Sequence, residues 1–218
     1  MSANRRQFLL NLAAAIPALF GLTAHALAAG RKLRIVALGD SLTAGYGLPA
    51  NEGFTYVLER ALQRDAFDVS IINAGVSGDT AAGGLARLDW AIGDGADGLI
   101  LELGGNDMLR GIDPGVTRHA LEAIMDRLSQ RQIKVLIAGM RASPSLGEEY
   151  GRTFDQIYPD LAAKYKSPLY PFFLDGVTGD KTLVQADGLH PNAEGVAKIV
   201  EGILPQVENL LRGIAVAG

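Results

Sequence analysis

Gly98-Leu99-Ile100-Leu101-Glu102-Leu103 is a short apolar run that stops at Gly104-Gly105-Asn106-Asp107. Its length and its glycine stop suit a β-strand. Apolar runs without alternation belong to parallel strands covered on both faces. The same form recurs along the chain. Leu33-Arg34-Ile35-Val36-Ala37-Leu38 ends at Gly39, and Val69-Ser70-Ile71-Ile72-Asn73-Ala74 ends at Gly75. Lys134-Val135-Leu136-Ile137-Ala138-Gly139-Met140 is a fourth run. Pro168-Leu169-Tyr170-Pro171 predicts a short fifth strand, whose prolines suit an edge. Helical segments fill the intervals. They run from Phe54 to Leu62, from a cap at Asp79 or Thr80 to about Ala91, and onward from Asp113-Pro114. Two more lie around Phe154 to Tyr165 and from about Asn192 to Leu211. Strands alternating with helices predict a single α/β domain, a three-layer α/β/α sandwich. In such folds the site lies at the carboxyl ends of the strands.

Composition narrows the function classes. The 218 residues are 48% hydrophobic and 20% charged, with a net charge of −4 and no cysteine. That hydrophobic share excludes disorder, and the length permits a core that buries roughly 70% of the unfolded surface. Zero cysteine removes disulfides, thiolate metal sites and a cysteine nucleophile. No histidine cluster has metal-ligand spacing, so no metal is expected. A negative balance argues against nucleic acid as a partner, since phosphate binding needs clustered Lys and Arg.

Residues 1–28 read as an export signal. Arg5 and Arg6 precede an apolar stretch that closes on Ala24-His25-Ala26 and Ala26-Leu27-Ala28. A basic start, an apolar middle and small-x-small sites make a secretory signal. Arg5-Arg6-Gln7-Phe8-Leu9 resembles the twin-arginine signal. Cleavage near Ala28 leaves one domain, residues 29–218, in the periplasm or outside the cell. The twin-arginine or general export machinery would be its partner in transit, and no stable membrane partner is expected afterwards.

The polar residues gather at the predicted strand ends. Of the three histidines, His25 leaves with the signal, and His119 falls on the polar side of a helix whose apolar positions include Val116, Ala120, Leu121 and Ile124. His190 is left as the candidate base. Asp187 lies three residues before it across a glycine turn, close enough to fix the imidazole tautomer. Ser41 and Ser77 each follow a strand and compete as nucleophile; the first strand's place in doubly wound sheets leans slightly to Ser41. Gly78 can offer a backbone N–H and Asn106 an amide to a developing oxyanion. Asp40, Asp79 and Asp107 read as loop or cap residues.

These blocks together resemble the GDSL, or SGNH, hydrolases. Gly39-Asp40-Ser41-Leu42, Ser77-Gly78-Asp79-Thr80, Gly104-Gly105-Asn106-Asp107 and Asp187-Gly188-Leu189-His190 match the family's four blocks in order. Ser41-Leu42-Thr43-Ala44-Gly45-Tyr46 and Ile157-Tyr158-Pro159 are most similar to its arylesterase, acyl-CoA thioesterase and lysophospholipase group. The resemblance implies a flavodoxin-like sheet of about five parallel strands and no cofactor. It implies a Ser41–His190–Asp187 triad, and so favours Ser41 over Ser77. It also implies an oxyanion hole of the Ser41 and Gly78 N–H groups with the Asn106 side chain.

The expected activity is two-step acyl transfer to water from a small-molecule ester or thioester, falling below roughly pH 6–7 where imidazole protonates. Leu48, Met108, Leu109, Met140 and Leu183 flank the blocks and are the candidate acyl-chain contacts. Trp90, the one tryptophan, is expected in a helix core. Two other readings fit the same blocks: a carbohydrate deacetylase also using Ser41, and a non-catalytic lipid binder.

Overall fold

The computed structural model describes residues 31–216. The predicted signal segment, its cleavage site and His25 lie outside the described residues.

Five strands form an all-parallel sheet in the order β2-β1-β3-β4-β5. They are β1 (Leu33–Gly39), β2 (Val69–Gly75), β3 (Gly98–Glu102), β4 (Lys134–Ala138) and β5 (Leu169–Tyr170). Burial explains the apolar runs. Ile35, Val36 and Leu38 of β1 and Leu99 and Ile100 of β3 are fully buried, and each such side chain contributes about 1.5–3 kcal/mol over leaving it in water. β2 departs from the expectation of cover on both faces. It is an edge strand, and its burial alternates, with Asn73 exposed.

Helices cover the sheet. α2 (Phe54–Arg64) and α9 (Ala193–Ala215) pack on each other over one face. α3 (Ala81–Ala86), α4 (Leu88–Ile92), α6 (Pro114–Gln130) and α8 (Ile157–Tyr165) cover the other. Two very short helices, α1 (Ser41–Ala44) and α5 (Gly105–Leu109), start almost directly at the ends of β1 and β3. α7 (Glu148–Asp155) follows a 3-10 turn at Pro144–Leu146.

Two predicted helices divide. The segment expected around Phe154 to Tyr165 is α7 followed by α8, with Gln156 between them. The helix expected from Thr80 to Ala91 breaks at Arg87, which ends α3 and starts α4. The break changes the phase of the last turn. Leu88, Ala91 and Ile92 face inward, and Trp90 turns to solvent at 75% exposure rather than entering the core. His119 is exposed as expected, but Val116, placed on the apolar side, is exposed as well. It lies in the first turn of α6, where Pro114 and Thr117 make the buried contacts instead.

Register sets the level of the site. Gly39 pairs with Gly75 on one side and with Glu102 on the other. Three loops therefore leave the sheet from one row. The chain moves from β1 outward to β2, then returns past β1 to β3, so the strand order reverses between β1 and β3. A crevice opens at such a reversal, beyond the carboxyl ends of the strands.

Candidate active site

Ser41 occupies the first position of α1, immediately beyond β1. Asp40 caps that turn, accepting the Leu42 N–H at 3.0 Å. The strand can run so directly into the helix because residue 39 is glycine. A Cβ there would stand 2.0 Å from Thr43 Oγ1 and 2.5 Å from Glu102 Oε2. Ser41 is thus presented over the crevice by a turn with no room to shift.

His190 comes to it from the other end of the chain. Its Nε2 lies 2.8 Å from Ser41 Oγ, and its Nδ1 lies 2.7 Å from Asp187 Oδ2. The other Asp187 oxygen accepts the backbone N–H groups of Leu189 (2.9 Å) and His190 (3.0 Å). The Leu189 N–H, then His190, hold the Asp187 carboxyl down at about 2, so it stays ionised wherever the protein is folded and active. Gln185 ties this loop to the Ser41 turn by donating to the Tyr46 carbonyl (2.7 Å) and the Pro191 carbonyl (3.0 Å). The Tyr46 ring packs on the imidazole, centroids 4.5 Å apart. Ser77 also lines the cleft but is exposed and makes no hydrogen bond to His190 among the described residues. The geometry therefore sets Ser41, not Ser77, against the base.

Gly78 and Asn106 border the same cleft. Gly78 has φ +85°, a conformation that penalises any side chain. Neither the Ser41 nor the Gly78 backbone N–H has an acceptor among the described residues. The Asn106 amide, by contrast, is already engaged. It donates to Asp40 Oδ2 and to the Asp79 carbonyl, both at 3.0 Å. A substrate oxygen must share one of these hydrogens.

Arg87 anchors the floor. Its guanidinium donates to Asp79 (2.6 Å), the Ala74 carbonyl (2.8 Å) and the Gly39 carbonyl (2.9 Å). It fastens the Gly78 loop to the ends of β1 and β2. The sequence carried no sign of this role, which depends on three segments meeting.

The cleft holds about 750 Å³. Met108, Leu109 and Met140 line it as expected. Leu48 and Leu183 do not. Leu48 lines a small adjoining crevice that shares Ser41, Tyr46 and His190 with the cleft, and Leu183 packs against the core. Their places are taken by Phe172, Leu174 and Val177, from the irregular segment after β5. That segment has no periodicity to betray its inward side. Among the described residues no group of His, Cys, Asp and Glu could hold a metal ion.

Beneath the site lies a buried carboxyl, Glu102, fully shielded from solvent. One oxygen receives the Thr43 hydroxyl (2.7 Å) and the Asp40 N–H (3.3 Å); the other has no partner among the described residues. Burial, with Asp40 nearby, pushes its pKa well above the carboxylate range, which favours the neutral form. Unfolded, it ionises near about pH 4.3. Folding therefore takes up a proton above that pH, and the stability this carboxyl permits falls as pH rises toward its folded pKa. Glu102→Gln keeps the acceptor and removes the proton uptake. The variant is expected to melt above wild type at pH 8. Below about pH 4 the gap should close. A gap that does not widen as pH rises from about 4 to 8 would count against the raised pKa of Glu102.

The GDSL-like lipase/acylhydrolase family model matches residues 37–198. The chain belongs to this family. Esterase TesA of Pseudomonas aeruginosa is 36% identical over 178 residues, covering 81% of this chain and 89% of that protein. Thioesterase 1/protease 1/lysophospholipase L1 of Escherichia coli K12 is 35% identical over 178 residues, covering 81% and 84%. The crystal structure of AlinE4, an SGNH-hydrolase family esterase, aligns with a TM-score of 0.71 and 46% identity, covering 84% of this chain and 98% of that one. This chain is accordingly an enzyme, a GDSL-type esterase, and the expected α/β fold with its all-parallel five-stranded sheet is the one found.

Proposed function

We propose that the protein hydrolyses carboxylic esters and thioesters with apolar acyl groups through an acyl-Ser41 intermediate. The observation that carries this reading is the relay from Ser41 Oγ to His190 Nε2 and from His190 Nδ1 to Asp187, at 2.8 and 2.7 Å.

Neutral His190 takes the Ser41 proton as Oγ bonds to the carbonyl carbon. The carbonyl electron pair moves onto oxygen, where the Ser41 and Gly78 N–H groups and the Asn106 amide receive it. The tetrahedral intermediate collapses and expels the alcohol or thiol, which leaves with the proton from His190. Water then attacks the acyl-enzyme, His190 takes its proton, and the carboxylic acid departs as Ser41 recovers its hydrogen. Asp187 holds the tautomer that makes Nε2 the acceptor. No cofactor enters this sequence. The methionines and Phe172 suit a flexible aliphatic or aryl group, which supports aryl esters, acyl-CoA and lysophospholipid-like molecules as the substrate classes.

No helix among the described residues is long and apolar enough to cross a membrane. The signal read at residues 1–28 supports a periplasmic or secreted enzyme, exported by the twin-arginine or general machinery.

A 4-nitrophenyl ester series from acetyl to palmitoyl tests the reading. Each methylene that enters the cleft contributes about 0.8 kcal/mol, nearly fourfold in kcat/KM. The ratio is expected to climb from acetyl until the cleft is filled, and a serine-directed phosphonate should modify Ser41. Activity confined to acetyl groups would favour a deacetylase. Turnover of no ester, with no adduct, would favour a lipid binder.

A further inference from the structure

Asp40 does more than cap α1. Its Oδ1 receives the Leu42 N–H at 3.0 Å and its Oδ2 receives the Asn106 amide at 3.0 Å. The first bond belongs to the turn that carries Ser41, and the second to the loop after β3. We propose that Asp40 is a positioning residue: one carboxylate sets the nucleophile's turn and the oxyanion donor relative to each other. This rests on the reading of Asn106 as an oxyanion donor.

Three observations support it. The side chain is almost wholly buried, so water cannot replace either bond. An unpaired buried donor is costly, which makes both bonds hard to give up. The Asn106 amide has two acceptors, and they differ in kind. One is a buried carboxylate on the rigid strand end. The other is the carbonyl of Asp79, beside Gly78 on the loop that also faces the cleft. A substrate oxygen that must share an amide hydrogen takes it from the neutral carbonyl more easily than from the charged carboxylate, because charge-assisted bonds are roughly twice as strong. Asp40 would then serve as the fixed pivot about which Asn106 meets the oxyanion.

Only a carboxylate fits this position. An amide has one acceptor oxygen for two donors, so Asn in either orientation turns an N–H toward an N–H. Keeping Asp40 charged is costly where it sits. Burial pushes its pKa up to about 6, against the downward pull of the Leu42 N–H and the Asn106 amide. Burial favours the neutral form of Glu102, whose oxygen receives the Asp40 N–H, and so lessens the negative charge beside Asp40.

The test is a double-mutant cycle on a 4-nitrophenyl ester. Asp40→Ser keeps a good helix cap, since serine caps as well as aspartate, but is too short to reach Asn106. It is expected to lower kcat about 10–100-fold with KM changed less than about threefold. Asn106→Ala is expected to lower kcat about 10²–10³-fold. If Asp40 acts through Asn106, adding Asp40→Ser to Asn106→Ala costs less than about twofold more. An equal loss in both backgrounds, or full activity of Asp40→Ser, overturns the proposal. Full activity of Asn106→Ala overturns instead the oxyanion reading beneath it. Should Asp40→Ser not fold, Asp40→Asn enters the same cycle, and thermal melting of each variant separates folding from positioning.

Discussion

Ser41→Ala is expected to lower kcat/KM for a 4-nitrophenyl ester by at least about 10³-fold, with the fold intact. Among the described residues the hydroxyl makes one hydrogen bond, to His190, while the cap of α1 comes from Asp40 and not from Ser41. Alanine is also the best helix former, so the turn should hold. What is lost is the attacking oxygen and with it the covalent route. What remains are the cleft and the oxyanion donors, and such sites without their nucleophile retain about 10³–10⁴-fold catalysis over water. Circular dichroism and melting should match wild type, and the phosphonate adduct should vanish. Equal activity in the two proteins would remove Ser41 as the nucleophile and turn attention to Ser77, across the same cleft.

Asp187→Asn is expected to cost about 10³–10⁴-fold in kcat with little change in KM. Asparagine can keep its oxygen on the Leu189 and His190 N–H groups, so the loop is expected to stand. Its amide nitrogen then faces His190 Nδ1, where the carboxylate oxygen was. The imidazole must put its own proton on Nε2, and Nε2 points at Ser41 as a donor instead of an acceptor. The base is present but wrongly protonated. Asp187→Ala should be less active still or comparable, and should also melt lower, because it leaves those two N–H groups without their carboxylate. A loss under about tenfold in Asp187→Asn would mean that the Tyr46 ring and the Gln185 bonds orient His190 without help from the acid. The Asp187 carboxyl, held at about 2, predicts no change in its charge between pH 4 and 9. A pH profile therefore separates it from the groups that do titrate there.

Much of the site was legible before the fold was seen, for a simple reason. A parallel sheet covered by helices writes its strands as apolar runs, and each run ends where function begins. Ser41, Gly78 and Asn106 follow three such runs, and their strands share one register row. His190 was legible by elimination, because the other histidines were accounted for. The cleft wall was half legible. Met108, Leu109 and Met140 sit next to the blocks and line the cleft. Leu48 and Leu183 sit next to the blocks but not in that wall: Leu48 lines a small adjoining crevice that also touches Ser41 and His190, and Leu183 packs against the core. Nearness in sequence to a functional residue does not fix which way a loop side chain turns.

The sequence by itself determined the order of elements, the parallel sheet, the absence of thiol chemistry and the four blocks. Each rests on local pattern: periodicity, capping, glycine stops and composition. Only the tertiary structure decided which serine meets His190, how Arg87 breaks a helix to clamp three segments, and that Asp40 binds Asn106. It also decided that Glu102, one acid in an apolar run, is buried without a cation among the described residues. Most of these are contacts between residues tens of positions apart. A hydrogen bond of 3 Å depends on how strands align and helices pack, and no local pattern records that distance.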